Sequence, residues 1–311
     1  MLARVADNLF WFGRYVERSE HLSRYLNIQY FSTLDAPFET QRELSLQSIM
    51  NMVGIMVEED QIFEEKVLVS VAMDDKNPSS IKSSVFKARE NARGARDLIS
   101  IELWNTVNKF YRFIHDYPEE YYKTRGLDEF TRSTIKNCAI IKSNIQNTLL
   151  HDEVWAFIKM GMHLERAIQI NRMLLSKLQD VAKLREMKVM KPIESFQWGT
   201  LLQSAEGFDM FRRIYSASPM EQETLEFFVL NKKFPRSVSY NITALQRYLR
   251  FISPNKNVEK NGIEWRVGRL SEELIYTTIQ EFADSPQEFL EKTLEQIYNL
   301  NNLLSEEYLN Y

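Results

Sequence analysis

Two twelve-residue stretches of this chain carry the same arrangement of charged residues. Residues 13–24 read GRYVERSEHLSR and residues 161–172 read GMHLERAIQINR, so a glycine, a Glu-Arg pair and a later arginine recur at equal spacing. Glu17 and Glu165 are the carboxylates of the two pairs. A carboxylate within reach of an amide substrate can act as a general base, and charged groups with perturbed pKa values gather in functional sites. These two glutamates are therefore the catalytic candidates.

The spacing of the repeated residues places them on one stripe of a helix. Positions four, seven and eleven residues apart share a helix face at about 100° per residue. The two stripes consist of Gly13, Glu17, Glu20 and Arg24, and of Gly161, Glu165, Ile168 and Arg172. Apolar residues cover the other sides, which predicts buried helices whose charged stripe faces other helices. Because a buried unpaired ion is costly, each glutamate needs an arginine or another donor.

A third charged segment offers candidate partners for the two glutamates. It contains Arg89, Glu90, Asn91, Arg93 and Arg96. Its three arginines share one helix face, so we expect them near Glu17 or Glu165. Three interpretations stay open: a buried ion network, a polar cavity for an amino-acid-like or phosphorylated small molecule, and solvated surface charge. The ligand-binding candidates for a cavity are Glu17, Glu20, Arg24, Arg89, Glu90, Asn91, Arg93, Glu165 and Arg172.

An anion site is predicted at a helix start in the second half of the chain. Arg236 and Ser237 follow Pro235 there. The free N–H groups of a first helical turn, together with an arginine, attract phosphate or carboxylate. The alternative is ordinary capping of the helix by the Ser237 hydroxyl. The similar turn near Pro78 has Ser79 in place of the arginine, so we expect strong anion binding only in the second half.

No metal or cofactor is predicted. Helical bundles that hold two metal ions use a Glu-x-x-His motif, and none of the four histidines completes it. His21, four residues after Glu17, is expected on a helix surface. Cys138, the single cysteine, is expected in a helix core and excludes an internal disulfide. The glycine-rich phosphate-binding loops are absent from the sequence, so any nucleotide is expected to belong to a partner protein.

Charge and composition limit the classes of function. The chain of 311 residues has 39 basic and 43 acidic residues, with a formal net charge of −4. Such a balance provides no broad basic surface, so neither nucleic acid nor a membrane is expected as a partner. No signal peptide is recognised, and no apolar run approaches the roughly 20 residues that span a bilayer. We expect a soluble cytoplasmic protein.

The sequence predicts an all-helical bundle built from two related halves. Only 9 Gly and 8 Pro occur, and long stretches carry apolar residues at helical spacing. Beside the opening motif, Leu46-Gln47-Ser48 recurs as Leu202-Gln203-Ser204, and Pro78-Ser79-Ser80-Ile81 recurs as Pro235-Arg236-Ser237-Val238. We therefore predict one domain over residues 1–311 with an internal repeat, 1–150 and 151–311. One long helix is expected from Ser80 to Ile114.

Three segments of the chain resemble the bacterial alpha-E domain family. They are LARVADNLFWFGRYVERSEHLSRYL, NPSSIKSSVFKARENARGARDLISIELWNTVN and FPRSV. The resemblance covers essentially the whole chain. It implies an all-helical protein that works with a circularly permuted ATP-grasp protein and a transglutaminase-like protein, a set associated with peptide or amide bonds. The family pattern falls on Glu17, Arg18, Glu20, Arg89, Glu90, Asn91, Arg93, Pro235, Arg236 and Ser237.

The resemblance predicts an accessory component of an ATP-grasp-linked system that forms peptide or amide bonds. On this hypothesis the chain binds an amino acid, a peptide or its partner protein through a buried Glu/Arg cavity. A first alternative is an enzyme that uses Glu17 or Glu165 as a general base. A second is a scaffold whose charged stripes are purely structural.

Overall fold

Helices joined by turns make up the part of the chain that the structure describes. The computed structural model describes residues 1–34, 39–55, 63–187, 191–216, 218–254 and 256–310. No strand occurs in these ranges, so the predicted all-helical class is confirmed. The first half contains α1 Ala3–Leu34, α2 Glu39–Met52, α3 Glu64–Ala72, α4 Ile81–Gly94, α5 Ile101–His115, α6 Glu119–Tyr121 and α7 Leu127–Thr148. The second contains α8 Glu153–Glu186, α9 Lys191–Ser204, α10 Phe208–Ile214, α11 Glu221–Leu230, α12 Val238–Ile252, α13 Ile263–Tyr276 and α14 Pro286–Leu304.

The single helix expected from Ser80 to Ile114 is wrong, because two helices occupy this region. Ser80 accepts a hydrogen bond from a first-turn amide at 3.1 Å and caps α4, as predicted. That helix ends at Gly94, and Ser100 caps α5 with a similar bond of 3.1 Å. Glycine is a weak helix former. It also lets α4 approach α1, since a Cβ at position 94 would lie 2.3 Å from the side-chain nitrogen of Asn8.

The two longest helices, α1 and α8, cross at the centre of the bundle through the glycines of the repeated motif. A Cβ at Gly13 would lie 2.2 Å from the carbonyl oxygen of Ile158, and one at Gly161 would lie 2.0 Å from that of Phe10. No real Cβ tolerates such a distance. The missing side chains therefore allow the two backbones to touch.

The remaining helices surround this central pair in a corresponding way in both halves. α1 packs against α4 and α7, while α8 packs against α12 and α14. α4 then packs on α5 as α12 packs on α13, and α2 and α9 each contact both central helices. The order of helices and their packing partners thus recur. Descent of the halves from one ancestral unit stays a prediction.

Apolar side chains from both halves form one continuous core around α1 and α8. Its largest fully buried members include Phe10, Phe12, Phe110, Phe130, Trp198 and Phe228. Burying one such ring stabilises a fold by about 1.5–3 kcal/mol. Among the described residues, no helix combines the length and the apolar character needed to cross a bilayer. The glutamates of the charged stripes of α1 and α8 are buried within this fold, where charged side chains are uncommon unless they are paired.

We predict that Gly13→Ala and Gly161→Ala each lower the free energy of unfolding by about 2–3 kcal/mol, because a methyl group must displace backbone atoms. Urea unfolding followed by circular dichroism measures the loss. Gly199→Ala in α9 is the matched control, since its Cβ would lie 3.7 Å from Phe208, an ordinary contact. Alanine's helix propensity should leave that variant unchanged or more stable by up to about 1 kcal/mol. Equal losses in all three variants would contradict the close-contact explanation.

Candidate functional site

The two Glu-Arg dipeptides pair with each other across the contact between α1 and α8. Arg166 donates two hydrogen bonds to Glu17, from Nε at 2.6 Å and from Nη2 at 2.9 Å. Arg18 does the same to Glu165, from Nε at 2.7 Å and from Nη2 at 3.1 Å. Both carboxylates are 0% exposed. Each half of the chain therefore supplies the counter-ion for the buried glutamate of the other half.

The crossing of the helices explains why the pairs form between the halves. Each glutamate follows its glycine by four residues, about one turn, so it lies next to the close backbone contact. Adjacent residues on a helix point about 100° apart and do not face each other. Arg18 therefore cannot pair with Glu17 and reaches the opposite helix instead. The two-pronged guanidinium–carboxylate geometry fixes both distance and orientation.

Further charges surround Glu17 on the α7 side of the bundle. The Glu17 cluster consists of Glu17, Glu20, Arg24, Lys142, Arg166, Glu206 and Arg236. The Lys142 ammonium lies 2.6 Å from Glu17 Oε2 and also bonds Glu20. Arg24 lies 2.7 Å from Glu20 and 2.6 Å from Glu206. The cluster thus has a sealed carboxylate inside and a partly exposed edge, where the cations are 12–20% exposed and Glu206 is 50% exposed.

A smaller set of charged and amide side chains surrounds Glu165. The Glu165 cluster consists of Glu165, Arg14, Arg18, Gln169 and Asn301. Arg14 donates to Glu165 from Nε at 2.7 Å and to Asn301 from Nη1 at 2.6 Å, while its guanidinium lies 4.5 Å from the Trp11 ring centre. Gln169 adds a further bond to Glu165 at 2.8 Å. Two arginines thus share one buried carboxylate.

Burial and the neighbouring cations act in opposite directions on these carboxyl groups. Burial favours the neutral acid, but Arg166 and Lys142 outweigh it and hold the pKa of Glu17 well below its ordinary value. Against the same effect of burial, Arg18 and Arg14 lower the pKa of Glu165. Both groups are ionised, enclosed and fully engaged. A carboxylate of such low basicity is a poor general base at neutral pH, so the geometry favours charge pairing over proton transfer.

His21 is buried next to Glu17, and the expectation that it lies on a helix surface is wrong. Its side chain is 1% exposed, and Nε2 lies 3.2 Å from Glu17 Oε1. The reason is that α1 is enclosed by neighbouring helices on all sides. Burial lowers the pKa of His21 and outweighs the opposite effect of Glu17, so the ring stays neutral.

The arginine stripe of α4 reaches neither Glu17 nor Glu165, so its expected position is wrong. Arg89 donates to Asn108 at 2.9 Å and to Glu90 at 2.8 Å, and Arg93 also pairs with Glu90. Asn91 donates to the carbonyl oxygen of Lys87 at 2.8 Å, and Arg89 lies 4.7 Å from the Tyr111 ring centre. These four candidates form a separate, partly exposed group because this face of α4 packs on α5.

The remaining candidates lie in three places. Arg24 joins the Glu17 cluster, whereas Arg172 donates to the carbonyl oxygen of Met52 at 3.4 Å and lies outside both clusters. Ser237 caps α12 by accepting a hydrogen bond from the Tyr240 amide at 3.1 Å. Arg236 faces the chain's own carboxylates: it lies 3.1 Å from Glu20 and also bonds Glu206. Internal glutamates thus occupy the predicted anion position.

The structure also shows how the candidates for metal binding and for thiol chemistry are placed. In the described ranges, no three His, Cys, Asp or Glu side chains are arranged to hold a metal ion. Cys138 is fully buried in α7, as expected of a core residue, and burial raises the pKa of its thiol. A thiol with a raised pKa is a weak nucleophile.

The fold and the Glu-Arg pairs agree with a known family. A family model described as Alpha-E, a predicted alpha-helical domain with a conserved ER motif, matches residues 1–309. The chain therefore belongs to the Alpha-E family, and the resemblance seen in its sequence is confirmed. In one-letter code ER is Glu-Arg, and the chain has this dipeptide at Glu17-Arg18 and at Glu165-Arg166. Both Glu-Arg dipeptides of this chain take part in the reciprocal ion pairs between α1 and α8.

Mycobacteria contain longer relatives of this chain. Uncharacterised proteins of Mycobacterium bovis and of two strains of Mycobacterium tuberculosis are each 21% identical to it over 267 residues. The matches cover 79% of this chain and 29% of each relative. The chain thus spans less than a third of the length of these relatives. No solved structure matches it.

Removal of one partner from the reciprocal pairs should destabilise the fold strongly. We predict that Glu17→Gln lowers the free energy of unfolding by about 3–5 kcal/mol, because Arg166 and Lys142 lose a buried counter-charge. Combining Glu17→Gln with Arg166→Gln should cost less than the sum of the two single variants. Glu153→Gln on α8, 53% exposed, is the control and should change stability by less than about 0.5 kcal/mol. Additive losses in urea unfolding would show that the pair is not coupled.

The buried histidine of α8 should make stability depend on pH. Burial, and then Arg166, lower the pKa of His163 to about 3, and its Nδ1 lies 2.7 Å from Asn241 Oδ1. The unfolded chain binds a proton here near pH 6.5, so the stabilisation is complete above that pH and is lost as the pH falls. We expect His163→Gln to remove about 1–2 kcal/mol of the loss between pH 6.5 and 5. The exposed His151→Gln should leave this slope unchanged. Parallel pH curves for wild type and His163→Gln would refute the assignment.

Proposed function

We propose that this protein is an accessory binding component of a cytoplasmic system that forms peptide or amide bonds. Its expected partners are a circularly permuted ATP-grasp protein, which would supply activated substrate, and a transglutaminase-like protein. The family membership of the chain supports this proposal, since these partners are implied by resemblance to that family. The chemistry of bond formation would belong to the partners, and this chain would bind substrate or partner.

The reciprocal Glu-Arg pairing is the observation that carries the accessory role. Glu17 and Glu165 are enclosed, ionised and bonded to cations from the opposite helix. Their pKa values lie below the ordinary value, which disfavours the alternative of a glutamate general base. The motif instead fixes how the two halves sit against each other. A fixed bundle of this kind suits a binding surface that must keep its shape.

The partly exposed edge of the Glu17 cluster is the surface that we assign to binding. The four cations of the cluster are 12–20% exposed there and Glu206 is 50% exposed, and Lys159 adds a further positive charge. Burial lowers the pKa of Lys159 to about 8, and the nearby positive charges of Arg166 and Lys142 act in the same direction. A carboxylate of an amino acid, a peptide or an acidic partner segment would relieve this repulsion.

The length of the relatives also supports the proposal that this chain functions together with another polypeptide. The match covers 29% of each mycobacterial relative, so most of each relative lies outside it. Fusion of two units into one chain raises their effective concentration, and separate proteins with the same roles must instead bind each other. A protein that works with a partner is therefore favoured over an enzyme that works alone.

The accessory role is tested with purified chain and purified circularly permuted ATP-grasp protein. We expect a complex by light scattering, and ATP-dependent phosphate release with amino acids or peptides that exceeds the release by the partner alone. The chain without its partner should turn over neither amino acids nor peptides. Turnover by the chain alone would overturn the proposal, and so would absence of both association and stimulation.

The assigned edge is tested in the same assay with single variants. Lys159→Met should raise the substrate concentration needed for half-maximal stimulation at least fivefold, because it removes a cation from the edge. Lys292→Met, a lysine 64% exposed on α14, is the matched control and should behave like the wild type. If the two variants are equal, or if the chain binds its partner without changing its substrate dependence, the scaffold alternative is favoured.

A further inference from the structure

A cavity of about 440 Å³ lies outside both charged clusters, between the turn that precedes α4 and the C-terminal part of α5. Its volume is at the small end of the range of about 300–1,000 Å³ that is usual for small-molecule sites. Residues 75–87 and 111–115 line it. Sequence positions so far apart meet here because α4 and α5 pack against each other.

One side of this cavity is cationic. Lys76, Lys82 and Lys87 line it, while Asp75, the acidic lining residue, lies 2.9 Å from the Lys82 ammonium. The Lys87 ammonium donates to the carbonyl oxygen of Pro78 at 3.3 Å and has no carboxylate partner among the described residues. The lysines therefore leave positive charge without an internal counter-ion, unlike Arg236 in the Glu17 cluster.

Aromatic side chains also line the cavity. The ring centres of Phe86 and Tyr111 lie 6.3 Å apart, and those of Tyr111 and His115 lie 5.4 Å apart. Phe86 is 50% exposed, so part of its ring is accessible. Arg89 contacts the Tyr111 ring at 4.7 Å and helps to hold it in place. A flat ring that enters the cavity would find aromatic faces to stack on.

We propose that this cavity binds a small aromatic phosphate of the nucleoside monophosphate class. The phosphate would bind the lysines through charge-assisted hydrogen bonds, and the base would stack on Phe86 and Tyr111, as bases stack on aromatic side chains in other proteins. The volume suits one nucleotide better than two. The site uses lysines and rings instead of a glycine-rich loop, so it departs from the prediction that any nucleotide belongs to a partner.

The cavity lies next to the Glu165 cluster. The Lys87 ammonium and the Arg18 guanidinium both approach the Tyr15 ring, at 5.6 Å and 5.4 Å from its centre. Arg18 binds Glu165 directly. Burial lowers the pKa of Lys87, and the positive charge of Arg18 lowers it further. A phosphate at Lys87 would therefore sit one side chain away from the reciprocal pair.

Calorimetry on the chain alone tests this proposal, with AMP, adenosine and inorganic phosphate as probes. We expect AMP to bind at least tenfold more tightly than either adenosine or phosphate, because the cavity offers partners for both parts of the molecule. AMP binding should weaken as salt concentration rises. Absence of heat with AMP at millimolar concentration would overturn the proposal. Equal affinity for AMP and either fragment would also overturn it.

Matched variants locate the binding. Phe86→Ala and Lys87→Met should each weaken AMP binding at least tenfold. Phe251→Ala removes an equally exposed phenylalanine, 49% exposed, and Lys233→Met removes an exposed lysine from the similar turn in the second half. Both controls should bind AMP as the wild type does. Circular dichroism checks that each variant folds, and equal effects of variants and controls would refute the site.

This inference does not rest on the proposed accessory function. Calorimetry needs no partner protein, whereas association and stimulation need no nucleotide site in this chain. Failure of AMP binding would therefore leave the partner assay unaffected, and failure of the partner assay would leave the cavity assignment intact. The two outcomes are distinguishable because calorimetry uses the chain alone with AMP, whereas the partner assay uses the chain together with the ATP-grasp protein.

Discussion

The whole arrangement depends on the reciprocal ion pair that joins α1 to α8. Two glycines let the helix backbones touch, and one turn further each helix places a glutamate under the arginine of the other. Removing ions from water is costly, and a buried pair often adds little net stability over an apolar pair. The pair does, however, require a particular distance and orientation of the two side chains. Only one register of the two helices satisfies both pairs, so the interaction specifies how the halves assemble.

The two ends of this interaction differ in what surrounds them, although the helices correspond. Around Glu17, cations and further carboxylates extend to the protein surface, and Arg236 contributes from the start of α12. Around Glu165, the neighbours are Arg14, Gln169 and Asn301, and Ser79 stands where the other half has Arg236. Similar backbones thus carry different electrostatic environments. The assigned binding edge belongs to the Glu17 cluster, whereas the lysine-lined cavity lies next to the Glu165 cluster.

Residue spacing was sufficient to predict the all-helical class and the burial of the charged stripes, but it missed the break between α4 and α5. The counter-ions were placed wrongly because the sequence offers several arginine stripes, and Arg89 turns toward α5 instead of α1. One local signal did point to the true partners. Neighbouring residues of a helix cannot face each other, so the arginine beside each buried glutamate must reach another helix. The cavity was not predictable, since packing of α4 on α5 creates it.

Reciprocal pairing makes the halves mutually dependent in a way that ordinary apolar packing does not. A fragment ending before α8 would keep Glu17 and lose Arg166, and the complementary fragment would keep Glu165 and lose Arg18. Each fragment would therefore contain a glutamate without the arginine that pairs with it in the whole chain. Gene rearrangement can thus add sequence at the ends of this unit, as the longer relatives suggest, but it cannot divide the unit between two separate proteins unless they reassemble.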